Sequence, residues 1–273
     1  MPSYLITGVS RGIGFEFLRQ LSANPENVVV GLVRNKASTD EKVLKELGSR
    51  PNIHIVQADL IDYDSLKKSL DDVTPIVKGS LDYIIANAGY ISHWSQYDAI
   101  GTLGEMDPKG LEDDMLECFK VNVIGNVHLF NIYLPLILKG PTKKVITIST
   151  GLADVEMSRE WKLTLSAPYA ISKSAMNSAA ARFHAQYADQ GVLFLNICPG
   201  VVETGVYDDA TEEQKKRLGE QGAKFAAYAP GFTGGVEPPE SVGKMLVQIN
   251  KASLEGGYGG AFISHLGKGE KYL

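Results

Sequence analysis

Cysteine is scarce in this 273-residue chain, with Cys118 and Cys198 the only two. That excludes a disulfide scaffold and a thiolate-rich zinc site, and it predicts reduced thiols in a cytoplasmic protein. Five histidines (His54, His93, His128, His184 and His265) lie scattered without ligand spacing, so no metal is expected. No Asn-x-Ser/Thr triplet occurs. Long apolar runs are missing too. Val28–Val33 and Ile132–Leu138 are the most apolar stretches, far below the roughly 20 residues a membrane helix needs. The opening Met1-Pro2-Ser3 lacks a charged segment followed by an apolar one, so no secretory signal is expected. Basic residues are not in excess: 27 Lys and Arg against 32 Asp and Glu give a net charge of −5, with no bulk attraction for nucleic acid or anionic lipid. A hydrophobic fraction of 44% with 28 Gly and 12 Pro excludes collagen, coiled coil and a disordered chain.

What is present is alternation. Tyr4–Thr7, Val28–Val33, Ile53–Ala58, Leu81–Ala86, Val145–Ser149 and Val192–Cys198 read as short apolar strands buried on both faces. Segments with helical spacing separate them, among them Tyr63–Leu70, Leu111–Leu138 and Tyr169–Gln190, and Ser38-x-x-Glu41 reads as a capping box opening the second helix. Ala261–Ile263 adds a seventh strand. The pattern predicts a single α/β domain: a doubly wound parallel sheet of about seven strands with helices on both faces. No repeat or linker divides it. A core of about residues 1–204 is followed by a substrate lid over about 205–239, read as a loop with a short helix, then by a helix and strand over 240–273. Because right-handed crossovers bring the carboxyl ends of parallel strands to one edge, the residues just after each strand are where ligands bind.

Two groups of residues there carry chemistry. Thr7-Gly8-Val9-Ser10-Arg11-Gly12-Ile13-Gly14 joins the first strand to the first helix, where backbone N–H groups and the positive helix end can hold a pyrophosphate. The second strand ends in Leu32-Val33-Arg34-Asn35, with no carboxylate before Asp40 to bind a ribose 2′-hydroxyl. Arg34, with Arg11, predicts NADP(H) rather than NAD. Tyr169 and Lys173 stand at i and i+4 on one helix face. A free phenol ionises near pH 10, so a neighbouring ammonium is what allows it to exchange protons at neutral pH.

With Asp59-Leu60 after the third strand, Asn87-Ala88-Gly89 after the fourth, Asn122 in Lys120-Val121-Asn122-Val123, and Pro199-Gly200-Val201-Val202-Glu203-Thr204 after the sixth, the chain resembles the classical short-chain dehydrogenase/reductase family over essentially its whole length. The resemblance implies a Rossmann fold and hydride transfer between nicotinamide C4 and a carbonyl or carbinol carbon, with Tyr169 as general acid/base. It implies that Lys173 also holds the nicotinamide ribose, and that Asn122 holds a water linking Lys173 to solvent. Asp59 would contact the adenine, Ile13 and Asn87 would line the cofactor cleft, and Val202 and Thr204 would touch the carboxamide. Lys120 matches a basic position two residues before the Asn. A homodimer or homotetramer is expected, the apolar stripe Val121, Ile124, Val127, Leu129 and Ile132 serving either self-association or the core.

One position departs from the family. Where a Ser-Ser run is usual, a dozen or so residues before the Tyr, this chain has Ile148-Ser149-Thr150-Gly151. Thr150 holds the aligned place, Ser149 matches in kind and is slightly favoured, and successive strand side chains face opposite ways. Ser149 stands twenty residues before Tyr169, leaving Asp154–Ala167 as an apparent insertion at the substrate. In these details the chain is similar to fungal ketoreductases and sniffer-like carbonyl reductases. Trp94 and Tyr97 are candidates either for a substrate wall or for loop packing. The leading reading is an NADPH-dependent carbonyl reductase or alcohol dehydrogenase. Its competitors are an NADPH sensor without turnover, against which the complete Asn122, Tyr169 and Lys173 set argues, and an extended-type epimerase or dehydratase, for which the C-terminal part is too short.

Overall fold

The computed structural model describes all residues from Met1 to Leu273. Seven parallel strands lie in the order β3-β2-β1-β4-β5-β6-β7. They are β1 (Ser3–Thr7), β2 (Val28–Val33), β3 (Ile53–Gln57), β4 (Tyr83–Ala86), β5 (Lys144–Ile148), β6 (Leu193–Cys198) and β7 (Phe262–Ser264). Each expected strand is present within a residue or two of its predicted ends. The strands read as uninterrupted apolar runs because both faces are covered. Tyr4 and Ile6 enter a core shared with α1 (Gly12–Leu21), α2 (Lys36–Leu47) and α10 (Pro238–Lys251), whereas Leu5 between them enters the opposite core. That second core is filled from α3 (Tyr63–Ile76), α6 (Gly125–Ile137) and α8 (Ala167–Tyr187), with Phe130, Tyr133 and Phe194 among its fully buried side chains. At about 1.5–3 kcal/mol for each large apolar side chain removed from water, these two cores are the main source of stability.

Three helical expectations are corrected. Asn35, not Ser38, caps α2: its side chain accepts from Ser38 N, because the chain turns into the helix directly after β2. The segment read as regular helix over Leu111–Leu138 is helical throughout but carries a π-turn over Lys120–Ile124, which separates α5 (Pro108–Phe119) from α6. Of its apolar stripe, Leu129 and Ile132 are buried, Val121 and Val127 half-buried, and Ile124 48% exposed, so part of the stripe belongs to the core and part faces outward. Over the sheet edge lies α9 (Glu212–Tyr228), a helix of 17 residues rather than a short one, opened by a reciprocal Thr211–Gln214 capping box. The apparent insertion folds as α7 (Val155–Trp161), and α4 (Ile100–Met106) precedes α5. Cys118 and Cys198 are free and buried. No helix is long and apolar enough to cross a membrane.

Gly31 in β2 links this packing to the edge loop. Val9, fully buried, sits so close that a Cβ at Gly31 would lie 2.4 Å from its Cγ2. Gly31→Ala is therefore expected to lower unfolding free energy by about 1–3 kcal/mol through overpacking. Combining it with Val9→Ala should yield a double variant more stable than the sum of the single losses, measured by urea unfolding; strict additivity would show that the two residues do not share the space.

Candidate active site

Strand order reverses between β1 and β4, and the ends of those strands are clamped together. The Thr7 hydroxyl accepts from Asn87 N at 3.1 Å and Ala88 N at 2.9 Å, while Asn87 Nδ2 donates to Thr7 O at 3.0 Å. The loop beyond Thr7 fits a large anion by having little side chain. A Cβ added at Gly14 would lie 2.3 Å from Gly8 O, and one at Gly8 would lie 3.0 Å from Ala88 Cα. Gly12, at φ +56°, faces the Thr204 side chain across the cleft, and no side chain caps the N-terminus of α1 after Arg11. These are the requirements for a pyrophosphate on helix N–H groups. Ile13 is half-buried against the first core.

Around the loop, Arg11, Ser10 and Arg34 are exposed. Asp40 is occupied by Lys36 at 2.5 Å, and Ser10 O accepts from Lys42 at 3.2 Å. Asp59 is half-buried and its Oδ1 accepts from Ile61 N, while Leu60 is buried under Gly125. On the far side, Pro199 O is fixed by Ser241 Oγ at 2.7 Å and Gly200 lies against the His265 ring. Burial lowers the His265 pKa to about 4, so this ring is neutral at physiological pH. Val202 bridges to Val236, setting the strand end that carries Thr204.

The residues expected to handle protons come together beyond β4 and β5. Helix α8 begins after Ser166, which takes a left-handed conformation (φ 59°) and bonds Gln96 O at 3.1 Å. Pro168 in the first turn suits a helix start. From there Tyr169 and Lys173 project on one face, Lys173 Nζ lying 5.8 Å from the centre of the Tyr169 ring. Lys173 donates to Ile148 O at 2.8 Å, and burial lowers its pKa to about 8. Burial pushes Tyr169 well above the ordinary phenol value, with Tyr207 the next contributor. The phenol is therefore held protonated at neutral pH, and the ammonium beside it is largely charged.

Asn122 sits in the middle of the π-turn, where the extra residue swings its side chain inward. Its Oδ1 accepts from Tyr90 N at 2.7 Å; its Nδ2 donates to Tyr90 O and Ser172 Oγ at 2.8 and 2.9 Å. Gly89 lies between: a Cβ there would be 3.3 Å from both Asn122 Oδ1 and Lys173 Nζ. Lys120 opens the π-turn as an exposed side chain, set apart from fully buried Asn122.

The two candidate hydroxyls part company. Ser149 is 2% exposed and its Oγ donates to Asn177 Oδ1 at 2.8 Å, one helical turn beyond Lys173. Thr150 is half-buried, and its Oγ1 only accepts, from Leu152 N at 3.3 Å, leaving its O–H to donate elsewhere. Of the two hydroxyls, Thr150 is therefore the one whose O–H is not already donated within the protein. Trp94 is 39% exposed, while Tyr97 is 3% exposed and meets Tyr207 edge-on with ring centres 6.2 Å apart. Ser172, Asn177, Tyr207 and Tyr272 were not singled out from sequence. For Ser172 and Asn177 a signal existed, since they lie three and eight residues beyond Tyr169 on the same helix.

A family model described as short chain dehydrogenase matches residues 3–215. Over all 273 residues, and the full length of both chains, this protein is 52% identical to the short chain dehydrogenase virK of Hypocrea virens. It is 44% identical over 268 residues, 98% of each chain, to the short-chain dehydrogenase/reductase iacC of Pestalotiopsis fici. Among solved structures, NADPH-bound carbonyl reductase from chicken fatty liver superposes with a TM-score of 0.76 at 26% identity, covering 98% of each chain. The carbonyl reductase Sniffer of Drosophila melanogaster shares the fold, with a TM-score of 0.75 at 21% identity over 97% of each. With a glycine-lined cleft at the sheet's switch point and the Tyr169–Lys173 pair beside it, the chain belongs to the short-chain dehydrogenase/reductase family of oxidoreductases, and within it is similar to carbonyl reductases.

Proposed function

We propose that this protein reduces a ketone or aldehyde with NADPH, Tyr169 acting as the general acid. The observation that carries the reading is the pairing of a protonated, half-buried phenol with the Lys173 ammonium on one face of α8. The glycine loop, Asn87 and the Pro199–Thr204 turn would hold the cofactor, which supplies the hydride for the carbonyl carbon. As that carbon gains the hydride, its oxygen becomes an alkoxide and takes the Tyr169 proton, so the carbonyl, one hydride and one proton together leave as the alcohol, with oxidised cofactor and a phenolate left behind. Lys173 stabilises the phenolate that Tyr169 becomes. Asn122, fixed by Tyr90 and Ser172, holds the π-turn carbonyls in place for the water that returns a proton. Thr150 donates a hydrogen bond to the developing oxyanion. The exposed Arg34, with Arg11, supports NADPH over NADH by offering guanidinium groups to a 2′-phosphate. Similarity to a carbonyl reductase that binds NADPH supports the same cofactor.

Following NADPH absorbance with a panel of ketones and aldehydes tests the reading. Tyr169→Phe should cut kcat by about 10³-fold and Thr150→Ala by about 10²-fold. Ser149→Ala should change kcat less than about threefold while lowering the unfolding midpoint, because a buried hydrogen bond is lost. Equal small losses from Thr150→Ala and Ser149→Ala would mean that neither donates to the substrate, and cofactor binding without turnover by wild type would defeat the reductase assignment.

Arg34→Asp should raise the KM for NADPH about 10- to 100-fold, the value of a charge-assisted contact, and move preference toward NADH. Unchanged selectivity would remove Arg34 from the 2′-phosphate site.

The pH dependence follows from Lys173. Its pKa is lowered to about 8, so it loses its proton as pH rises through that value. The phenolate then loses its stabilising charge, and kcat/KM for reduction should fall above pH 8. A profile flat from pH 7 to 9 would contradict this role.

A further inference from the structure

After β7 the chain turns through Gly267 and Gly269 and returns to the sheet edge, where Tyr272 meets four separate segments. Its ring stacks on Phe262 of β7, centres 4.7 Å apart and planes 16° from parallel. Its Cβ takes the room a side chain at Gly151 would need: a Cβ there would lie 3.0 Å away. Its hydroxyl donates to Asp154 Oδ2 at 2.9 Å, while Asp154 Oδ1 accepts from Met157 N and starts α7. Its backbone N donates to the Tyr228 hydroxyl at 3.3 Å, and its carbonyl accepts from Cys198 Sγ at 3.8 Å. Lys271 Nζ adds a bond to Tyr228 O at 2.6 Å.

Those segments border the site. Thr150 directly precedes Gly151, so the turn that presents its hydroxyl rests on the Tyr272 ring. Tyr228 ends the lid helix α9 and packs edge-on against Trp161 of α7, ring centres 5.7 Å apart. Burial and the bond to Asp154 raise the Tyr272 pKa, so its hydroxyl stays a donor across the physiological range.

We propose that Tyr272 is a positioning residue of the substrate pocket: its ring supports the Thr150–Gly151 turn, its hydroxyl holds, through Asp154, the helix α7 against which the Tyr228 end of the lid helix packs at Trp161, and it does so without touching substrate. The kinetic consequence rests on the reductase reading; the structural one does not. The test uses Tyr272→Phe, which keeps the ring, and Asp154→Ser, which keeps a good helix cap but removes the oxygen that Tyr272 reaches. In a Trp94→Phe background, Trp161 is the only tryptophan, and each variant should raise its acrylamide quenching constant at least twofold. In the otherwise native chain, each should raise the KM for a carbonyl substrate 5- to 20-fold, with the Kd for NADPH within twofold of wild type. The double variant should be no worse than either single, as expected for two ends of one bond. Unchanged quenching overturns the proposal, as does looser quenching with an unaltered KM. A loss confined to the unfolding midpoint would reduce Tyr272 to a stabilising residue. Absence of turnover by wild type would instead fail the reductase reading, and quenching alone would then decide whether the strap exists.

Discussion

Lys173 brings an ammonium group to a place where only 3% of the residue remains accessible, and much of the site is arranged around that cost. An isolated buried charge is expensive unless it finds acceptors. Here Ile148 O at 2.8 Å meets part of the need, and the depressed pKa, about 8, records what is left over. That residue of about 3 kcal/mol, at roughly 1.4 per pKa unit, is a penalty a purely structural lysine would not require. It is tolerable because two apolar cores flank the sheet, and it is useful because it keeps a cation beside a phenol that burial alone would leave inert. Gly89 bare, Asn122 turned inward and β5 ending at Ile148 are consequences of the same placement.

The fold was largely legible because parallel strands covered on both faces have no polar alternation to confuse their ends: Val28–Val33 is read in sequence as it stands in space. The cofactor side was legible for a related reason. Gly8, Gly12 and Gly14 are dictated by backbone clearances of 3 Å or less or by a positive φ, which no other residue type meets without strain, so the requirement leaves a mark in composition. The π-turn at Lys120–Ile124 left none. Its extra residue changes hydrogen-bond partners without demanding a particular residue type, so no residue in the sequence marks it. Ser38 was misread for a comparable reason: two polar residues three apart satisfy the capping pattern wherever the chain turns, and only the exit from β2 selects Asn35. Residue kind slightly favours Ser149 over Thr150 in the sequence, and only in space does Asn177 supply a partner that occupies Ser149.

The lid is held differently. Arg217 reaches Asp98 and, at 3.4 Å, Tyr97 O; Lys224 reaches Lys162 O at 2.6 Å; Lys271 reaches Tyr228 O at 2.6 Å. These contacts run from long cationic side chains, mostly on the surface, and each contributes little on its own in water. Separable surface latches of this kind would suit an element that opens, whereas the Thr7–Asn87 clamp joins two strand ends through several bonds anchored on the buried Thr7 side chain.

That division explains where sequence reading stops. Three of the lid contacts end on backbone carbonyls, which every residue possesses, so the partner position carries no compositional trace. Only the cationic end is visible, and a lysine or arginine in a polar loop looks the same whether it latches or is merely solvated. The cofactor cleft is built the opposite way, from missing side chains whose absence is itself the signal. The cofactor cleft is therefore marked in this sequence by glycine, whereas the lid contacts, made by lysines, arginines and loop carbonyls, are not; the Tyr272 ring stacked on Phe262 beside a bare Gly151 follows the first pattern.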